Sequence, residues 1–432
     1  MKRFLSGVTC LALAASLSAE TRVGPGTIEA DAQAAFVHAD NGTDDANALG
    51  AGVNLLYKQV INENYTFGAG FGVGMPLSES DDNAAGMLLL VERGTAMSGT
   101  YFSFDKLNVT YTQGDEEAIV GRFIADTPLA GSHSGYRLNK NALQGVFATF
   151  KNKAPNMTFA GGYIQSFAGI DSQALNNDGS SSKGSFNAMS DAAFGALGVT
   201  KDNIDDNGVL VLSGIYADET KALNAQGWLY YMPETAVTTT AGRGKGALSA
   251  FYLDTDYKGL VLENGMETVL SAQVISLGFG GDFSDYSHMV MGLKAEAGNL
   301  PIKELKARIA LNNVSGDGAV MNAWGAYPEY AASSQVFLTG LSEATVVKLG
   351  GTYDLAKELE NSKLSVDVIQ QSGKKYDLST TPPTGGDYTA TLLEAGFEYA
   401  MPEKNLLTNA ILVYGTGDSE DKALVLKASY TF

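Results

Sequence analysis

Between Tyr65 and Met75 the chain alternates with period two: Tyr65, Phe67, Ala69, Phe71, Val73 and Met75 share one face, and Thr66, Gly68, Gly70, Gly72 and Gly74 the other. That period belongs to a strand, and here one face is bulky and apolar while the other is nearly bare. The C-terminal stretch Lys422–Phe432 repeats the pattern. Leu424, Leu426, Ala428, Tyr430 and Phe432 lie on one side, with Lys427, Ser429 and Thr431 on the other. The same reading gives strands at Thr27–His38 and Leu49–Tyr57, and then at 86–92, 105–112, 117–125, 143–151, 157–167, 208–217, 222–232, 247–254, 268–278, 288–297, 303–312, 344–354, 362–371, 388–400 and 406–414. These make about nineteen candidates. Single-chain bacterial barrels have even strand numbers, so eighteen is the expected count, with 86–92 the weakest member.

Connection lengths sort by side. Lys151–Asn156, Ala356–Ser362 and Pro402–Asn405 are short, whereas Ala168–Asn207, Asn313–Glu343 and Tyr376–Asp387 are long. Counting back from Phe432 puts the long ones on one side each time; between 217 and 267 the pattern permits two registers. The fold expected is all-β, a transmembrane antiparallel barrel of about 18 strands with short periplasmic turns and long external loops. Its first strand, Thr27–His38, is expected to close on the last. A large loop, Asp171–Asn207 or Asn313–Glu343, is expected to fold inward. Tyr57, Tyr65, Tyr111, Tyr230, Tyr231, Tyr353, Tyr399, Tyr414 and Tyr430 fall near predicted strand ends, where interfacial girdles sit.

The N-terminus adds a compartment. Lys2 and Arg3 precede a mostly apolar run, Phe4–Leu17, and small residues follow to Ala19. This reads as a signal peptide over 1–19, with the barrel over 20–432. Cys10, the sole cysteine, falls inside the signal, so the mature chain closes without disulfides. Fifty glycines disfavour long helices. Taking Lys2 and Arg3 from 29 basic residues leaves 27 against 48 acidic, near −21. That balance excludes a nucleic-acid partner and draws cations toward a polar lumen.

Catalytic motifs do not emerge. His38, His133 and His288 are scattered, without metal-ligand spacing, and no Gly-x-Ser-x-Gly elbow is present, so an enzyme is not expected. No cofactor is expected. Asn203-x-Asp205-x-Asn207-Gly208 has part of the oxygen spacing of a calcium loop, but its twelfth position is Gly214, and an acidic solvated turn fits better. Lumen-facing charges follow from strand phase. Ile119, Gly121 and Phe123 outward would turn Arg122 inward; Lys106 opposes Leu107 and Val109; Lys306 and Arg308 oppose Leu305, Ala307 and Ile309; Lys348 follows the same logic. A charge on the lipid face costs about 2–4 kcal/mol at the midplane, which favours the lumen. Arg122, Arg137, Asp126, Lys106, Lys306, Arg308 and Lys348 are therefore the expected pore-lining and constriction residues. Cations opposite acidic residues such as Asp126 would set a transverse field.

The segment Val120–Leu129 ends a strand at Asp126-Thr127-Pro128, and Arg137-Leu138 follows with Gly145 at fixed spacing. This resembles the OprD-like porins and the major outer membrane porins of the campylobacter group. In them an Asp/Lys-Thr-Pro turn leads to Arg-Leu-Leu-Pro-x-x-Phe-x-Gly. Asn139, Lys140 and Leu143 depart from that run, which leaves the loop's path open. Trp324-Gly-Ala-Tyr-Pro-Glu-Tyr330 is similar to a late loop of the campylobacter type. The resemblance implies an 18-stranded, usually trimeric diffusion channel in a Gram-negative outer membrane. Its partners would be small hydrophilic solutes, ions and membrane lipid. The function expected is a porin with some cation preference; the alternative is a non-conducting surface barrel with adhesion or binding loops.

Overall fold

The computed structural model describes residues 21–40, 45–79, 101–125, 127–131, 141–168, 186–239, 242–262, 265–321, 324, 328–333, 336–377 and 384–431. Eighteen long strands form a closed antiparallel barrel. In chain order they are β1 (Gly26–Asp40), β2 (Asp45–Val60), β3 (Tyr65–Glu79), β4 (Tyr101–Gln113), β5 (Glu116–Phe123), β6 (Ala142–Ala154), β7 (Met157–Ala168), β8 (Val209–Ala217) and β9 (Leu223–Thr239). They continue as β10 (Gly242–Val261), β11 (Glu267–Gly281), β12 (His288–Gly298), β13 (Leu305–Ser315), β14 (Leu341–Asp354), β15 (Ser362–Asp377), β16 (Thr384–Met401), β17 (Leu406–Gly417) and β18 (Lys422–Thr431). Two short pieces, Thr21–Val23 and Asn187–Ala188, add to the sheet, and among the described residues one α-helix, α1, spans Met189–Gly195. Every expected strand except 86–92 coincides with one of these; that one, like the signal segment, lies outside the described residues.

Closure leaves no unpaired edge. β18 pairs with β1 from Asp31↔Thr431 to Asp40↔Lys422, and an ion pair of 3.0 Å joins Lys422 to Asp40 at the rim. The closure expected from sequence is thus observed. Ala34 and Ala428 stand opposite each other across the seam. Cysteines at both positions are expected to cross-link under oxidant or a short bis-maleimide. A heated, unreduced sample would then keep a ring that a gel resolves from the linear chain; no cross-link would exclude this closure.

The strands tie pattern to environment. Leu107, Leu212, Leu293, Ile309, Leu349 and Leu412 remain exposed on the outer wall, as a lipid-facing surface requires. On β3 the glycines Gly68, Gly70, Gly72 and Gly74 face inward and are buried. No helix among the described residues is long and apolar enough to cross a membrane, which says nothing against crossing by strands. At the short-turn end the chain reverses on asparagines with left-handed backbone, φ 61° at Asn156, 52° at Asn299, 59° at Asn361 and 49° at Asn405. Asparagine reaches that conformation at low cost through local hydrogen bonds, which keeps these turns tight.

The long-connection end differs from an empty pipe. α1 is wholly buried. Trp324 is fully enclosed, and its indole N–H donates to the Met189 carbonyl at 3.2 Å. The Ala130–Trp324 pairing, a parallel bridge, brings a third segment, 127–131, to the same place. Leu129 N–H donates to the Tyr230 hydroxyl at 3.4 Å, and the Tyr230 and Trp324 rings lie 5.9 Å apart. Both loops expected as alternatives for folding inward therefore contribute. Tyr230 is consequently no girdle residue: β9 runs on to Thr239, so this tyrosine sits well inside the strand and faces the lumen.

Candidate functional site

The inward-folded segments explain a phase error. Strand phase alone turns Ile119 and Phe123 outward, because apolar barrel residues usually meet lipid. Instead Ile119 and Phe123 pack in the inner core, while Val120 is exposed. Arg122 therefore shares the outer face with its register partners Leu107 and Gln144. Its Nε donates to Gln144 at 3.0 Å and its guanidinium lies 4.2 Å from the centre of the Phe186 ring. Arg122 is removed from the pore lining. Arg137 and Asp126 lie outside the described residues.

Lys106 does face inward. β4 bulges opposite Gly70 and Gly72, and Lys106 pairs with the inward Gly70. It lines a hollow with Asp31, Asn54 and Asp105. Lys306 points inward near the short-turn end and is exposed. Arg308 and Lys348 come together, with partners sequence reasoning missed.

Strand register dictates that meeting. Arg308 on β13, Gly350 on β14 and Asp367 on β15 occupy one row. Gly350 has no side chain, so Arg308 reaches across it: Nε and Nη2 bond both carboxylate oxygens of Asp367 at 2.8 and 2.6 Å, and Nη1 bonds Thr352 at 3.1 Å. Such a two-point geometry is the strong form of this contact. One row nearer the long-connection end, Lys348 donates to the Ala332 carbonyl. Lys294 bridges to Glu296 at 3.2 Å and stands 5.0 Å from the centre of the Tyr330 ring.

The late segment is pinned onto this wall by side chains from several strands. Gln273 donates to the Pro328 carbonyl at 2.8 Å, the Ala331 N–H donates to Asn312 at 2.6 Å, and Ser333 donates to Glu394 at 2.7 Å. Tyr330 donates its hydroxyl to Asp254. Burial first, and the Asp254 carboxylate next, push the Tyr330 phenol upward, so it remains a donor. Gly292 is a fitted gap here: a methyl group would come within 2.7 Å of Asn312 Nδ2 and 3.1 Å of the Tyr330 ring. Between segment and wall opens a cavity of about 330 Å³, lined by Lys294, Glu296, Arg308, Lys348, Asp367 and Glu394 with Glu329, Tyr330, Ser333 and Ser365.

The remaining sequence candidates resolve simply. Asn203 donates through Nδ2 to Thr200 and Asn207 through Nδ2 to Thr235, so both amides are fixed by local contacts. Among the described residues no group of three or more His, Cys, Asp or Glu is arranged to hold a metal. Asp191 in α1 is buried; one oxygen accepts from the Ala188 N–H at 3.1 Å and the other has no hydrogen-bond partner. Burial, then the neighbouring Asp206, push its carboxyl up to about 6.

No family model matches the sequence, and no curated protein matches it. Solved structures match along nearly the whole chain. OccK9 (OpdG) of Pseudomonas aeruginosa aligns with a TM-score of 0.69 at 14% identity, covering 94% of this chain and 98% of that one. The fold is that of the Occ outer-membrane channels. OpdK of the same organism, crystallised with vanillate, gives 0.68 at 12% identity, covering 94% and 98%. A BenF-like porin from Pseudomonas fluorescens Pf-5 gives 0.69 at 14%, covering 95% and 99%. This Occ-like barrel shares their strand architecture while differing from them in most of its residues.

Proposed function

We propose that this chain is an outer-membrane channel of a Gram-negative bacterium, passing small hydrophilic solutes by diffusion. The observation that carries the reading is an Occ-like barrel whose long connections fold inward onto a charged cavity of about 330 Å³. The lipid-facing wall and the closed sheet supply a membrane-spanning shell. The cavity beneath residues 328–333 supplies a place where solutes are sorted. No bond is made or broken; the protein offers a path, a width filter and a field.

Cation preference is part of the proposal. The chain is strongly acidic, and the cavity carries Glu296, Glu329, Asp367 and Glu394 against Lys294, Arg308 and Lys348. A homotrimer and a cleaved leader over 1–19 complete the reading, on the strength of the resemblance and the charged-apolar start of the chain. The purified protein in planar bilayers is expected to show discrete conductance steps, with a reversal potential in a potassium chloride gradient on the cation-selective side. Absence of steps from folded protein would reject the channel; an anion-selective potential would reject the preference alone.

A further inference from the structure

Every cation on the cavity lining is already engaged. Arg308 is held at two points by Asp367, Lys294 by Glu296 and the Tyr330 ring, and Lys348 by the Ala332 carbonyl. A carboxylate entering the cavity would have to displace one of these partners before meeting a positive charge. It would also face one more acid than base on the lining. At roughly 6 Å and an effective dielectric of about 40, one uncompensated carboxylate lowers the occupancy of a monoanion by about tenfold.

What the lining offers without giving up a partner is different. Paired charges place donors and acceptors side by side, and the Ser333 and Ser365 hydroxyls stand beside them. Neighbouring hydroxyls on a solute both donate and accept, so they can add to such pairs without breaking them. We infer that the cavity admits uncharged polyhydroxylated solutes, of sugar or polyol type, and discriminates against free carboxylates, with Asp367 and Glu394 setting that choice. This rests on the channel reading above. The two acids cancel the attraction that Arg308 and Lys348 would otherwise exert on anions.

The test uses proteoliposomes of the full-length mature protein, preloaded with radiolabelled glucose or gluconate, which share a six-carbon chain. Glucose is expected to escape about tenfold faster than gluconate, the factor one uncompensated acid supplies. Combining Asp367→Asn with Glu394→Gln loosens the hold on Arg308 and removes two negative charges from the lining, and is expected to shrink that ratio to threefold or less, a change of at least ~0.5 log unit. Glu394→Gln alone leaves the Arg308–Asp367 pair intact and is expected to give an intermediate ratio, so the test survives if the double variant does not fold. Gluconate leaving as fast as glucose from the wild-type protein would overturn the inference, as would a ratio that neither variant moves. Potassium conductance on the same preparation separates the two failures: if it is absent, the channel reading falls and this inference with it.

Discussion

Replacing Gly350 by alanine is expected to open the Arg308–Asp367 ion pair, lower the barrel's thermal stability and shift its reversal potential toward anions. The added methyl would overlap Asp367 Oδ1 and the Val366 carbonyl oxygen. The Asp367 side chain is almost wholly buried and that of Arg308 is about three-quarters so, at 7% and 24% exposed. Forcing them apart strands a cation against the wall, and overpacking adds strain; together these are worth about 2–4 kcal/mol. The measurement is the temperature at which the folded band on an unheated gel is lost, read alongside the bilayer reversal potential. A cycle isolates the pair. In an Arg308→Met background there is no ion pair to open and the Asp367 carboxylate is no longer held against the added methyl, so Gly350→Ala should cost at least ~1 kcal/mol less there. Equal costs in both backgrounds would show that Gly350 serves the sheet and not the ion pair.

The same glycine shows where sequence reasoning carries and where it stops. Period-two alternation locates the strands, because lipid on one side and a polar lumen on the other impose two environments at every step. The inward glycine face of β3 and the closure of β18 on β1 are legible for that reason. Arg308 and Lys348 are legible as inward charges, since Ile309 and Leu349 beside them are unmistakably lipid-facing. Their partner Asp367 carries the same signal, an acid between Val366 and Val368, but nothing local says that it lies two strands from Arg308 in the same row. That is a fact of register, written in the barrel's stagger. Arg122 fails for a different reason. Its phase follows only if the interior is polar at every height, yet where 127–131, α1 and Trp324 meet, the interior is apolar. Ile119 and Phe123 belong to that inner core, so the rule inverts where loops fill the lumen, and loop paths have no periodicity to announce them.

Those filling segments hold a group that titrates near neutrality, and the channel is expected to respond. Asp191 sits at the third position of α1, its carboxyl raised from the ordinary 3.8 to about 6 by burial and by Asp206. Asp202 acts in the same direction, while Lys201 and the Ala188 N–H oppose it. A raised pKa means the docked segment binds the proton more tightly than the released one. Docking is therefore strongest below about pH 4, weakens as pH rises through 4 to 6, and stays weakened above. With allowance for screening by lumen water, the loss is roughly 2 kcal/mol by neutrality. Asp191→Asn keeps an oxygen for the Ala188 N–H and removes the charge, so it is expected to hold the segment docked at neutral pH as firmly as the native chain does in acid. Hydrogen exchange reads this directly. Amides that follow the segment's own anchors, Ser190 and Ala196 among them, should exchange about tenfold faster in the native protein at pH 7.5 than the pH-corrected rate at pH 4.5, and the variant should abolish that difference. The bonds from Ser190 to Asp205 and from Trp324 to Met189 are unaltered by the substitution, so protection lost at both pH values would point to a misfolded segment and not to titration. A native pH difference that persists in Asp191→Asn would assign the response to another group and reject Asp191 as its origin.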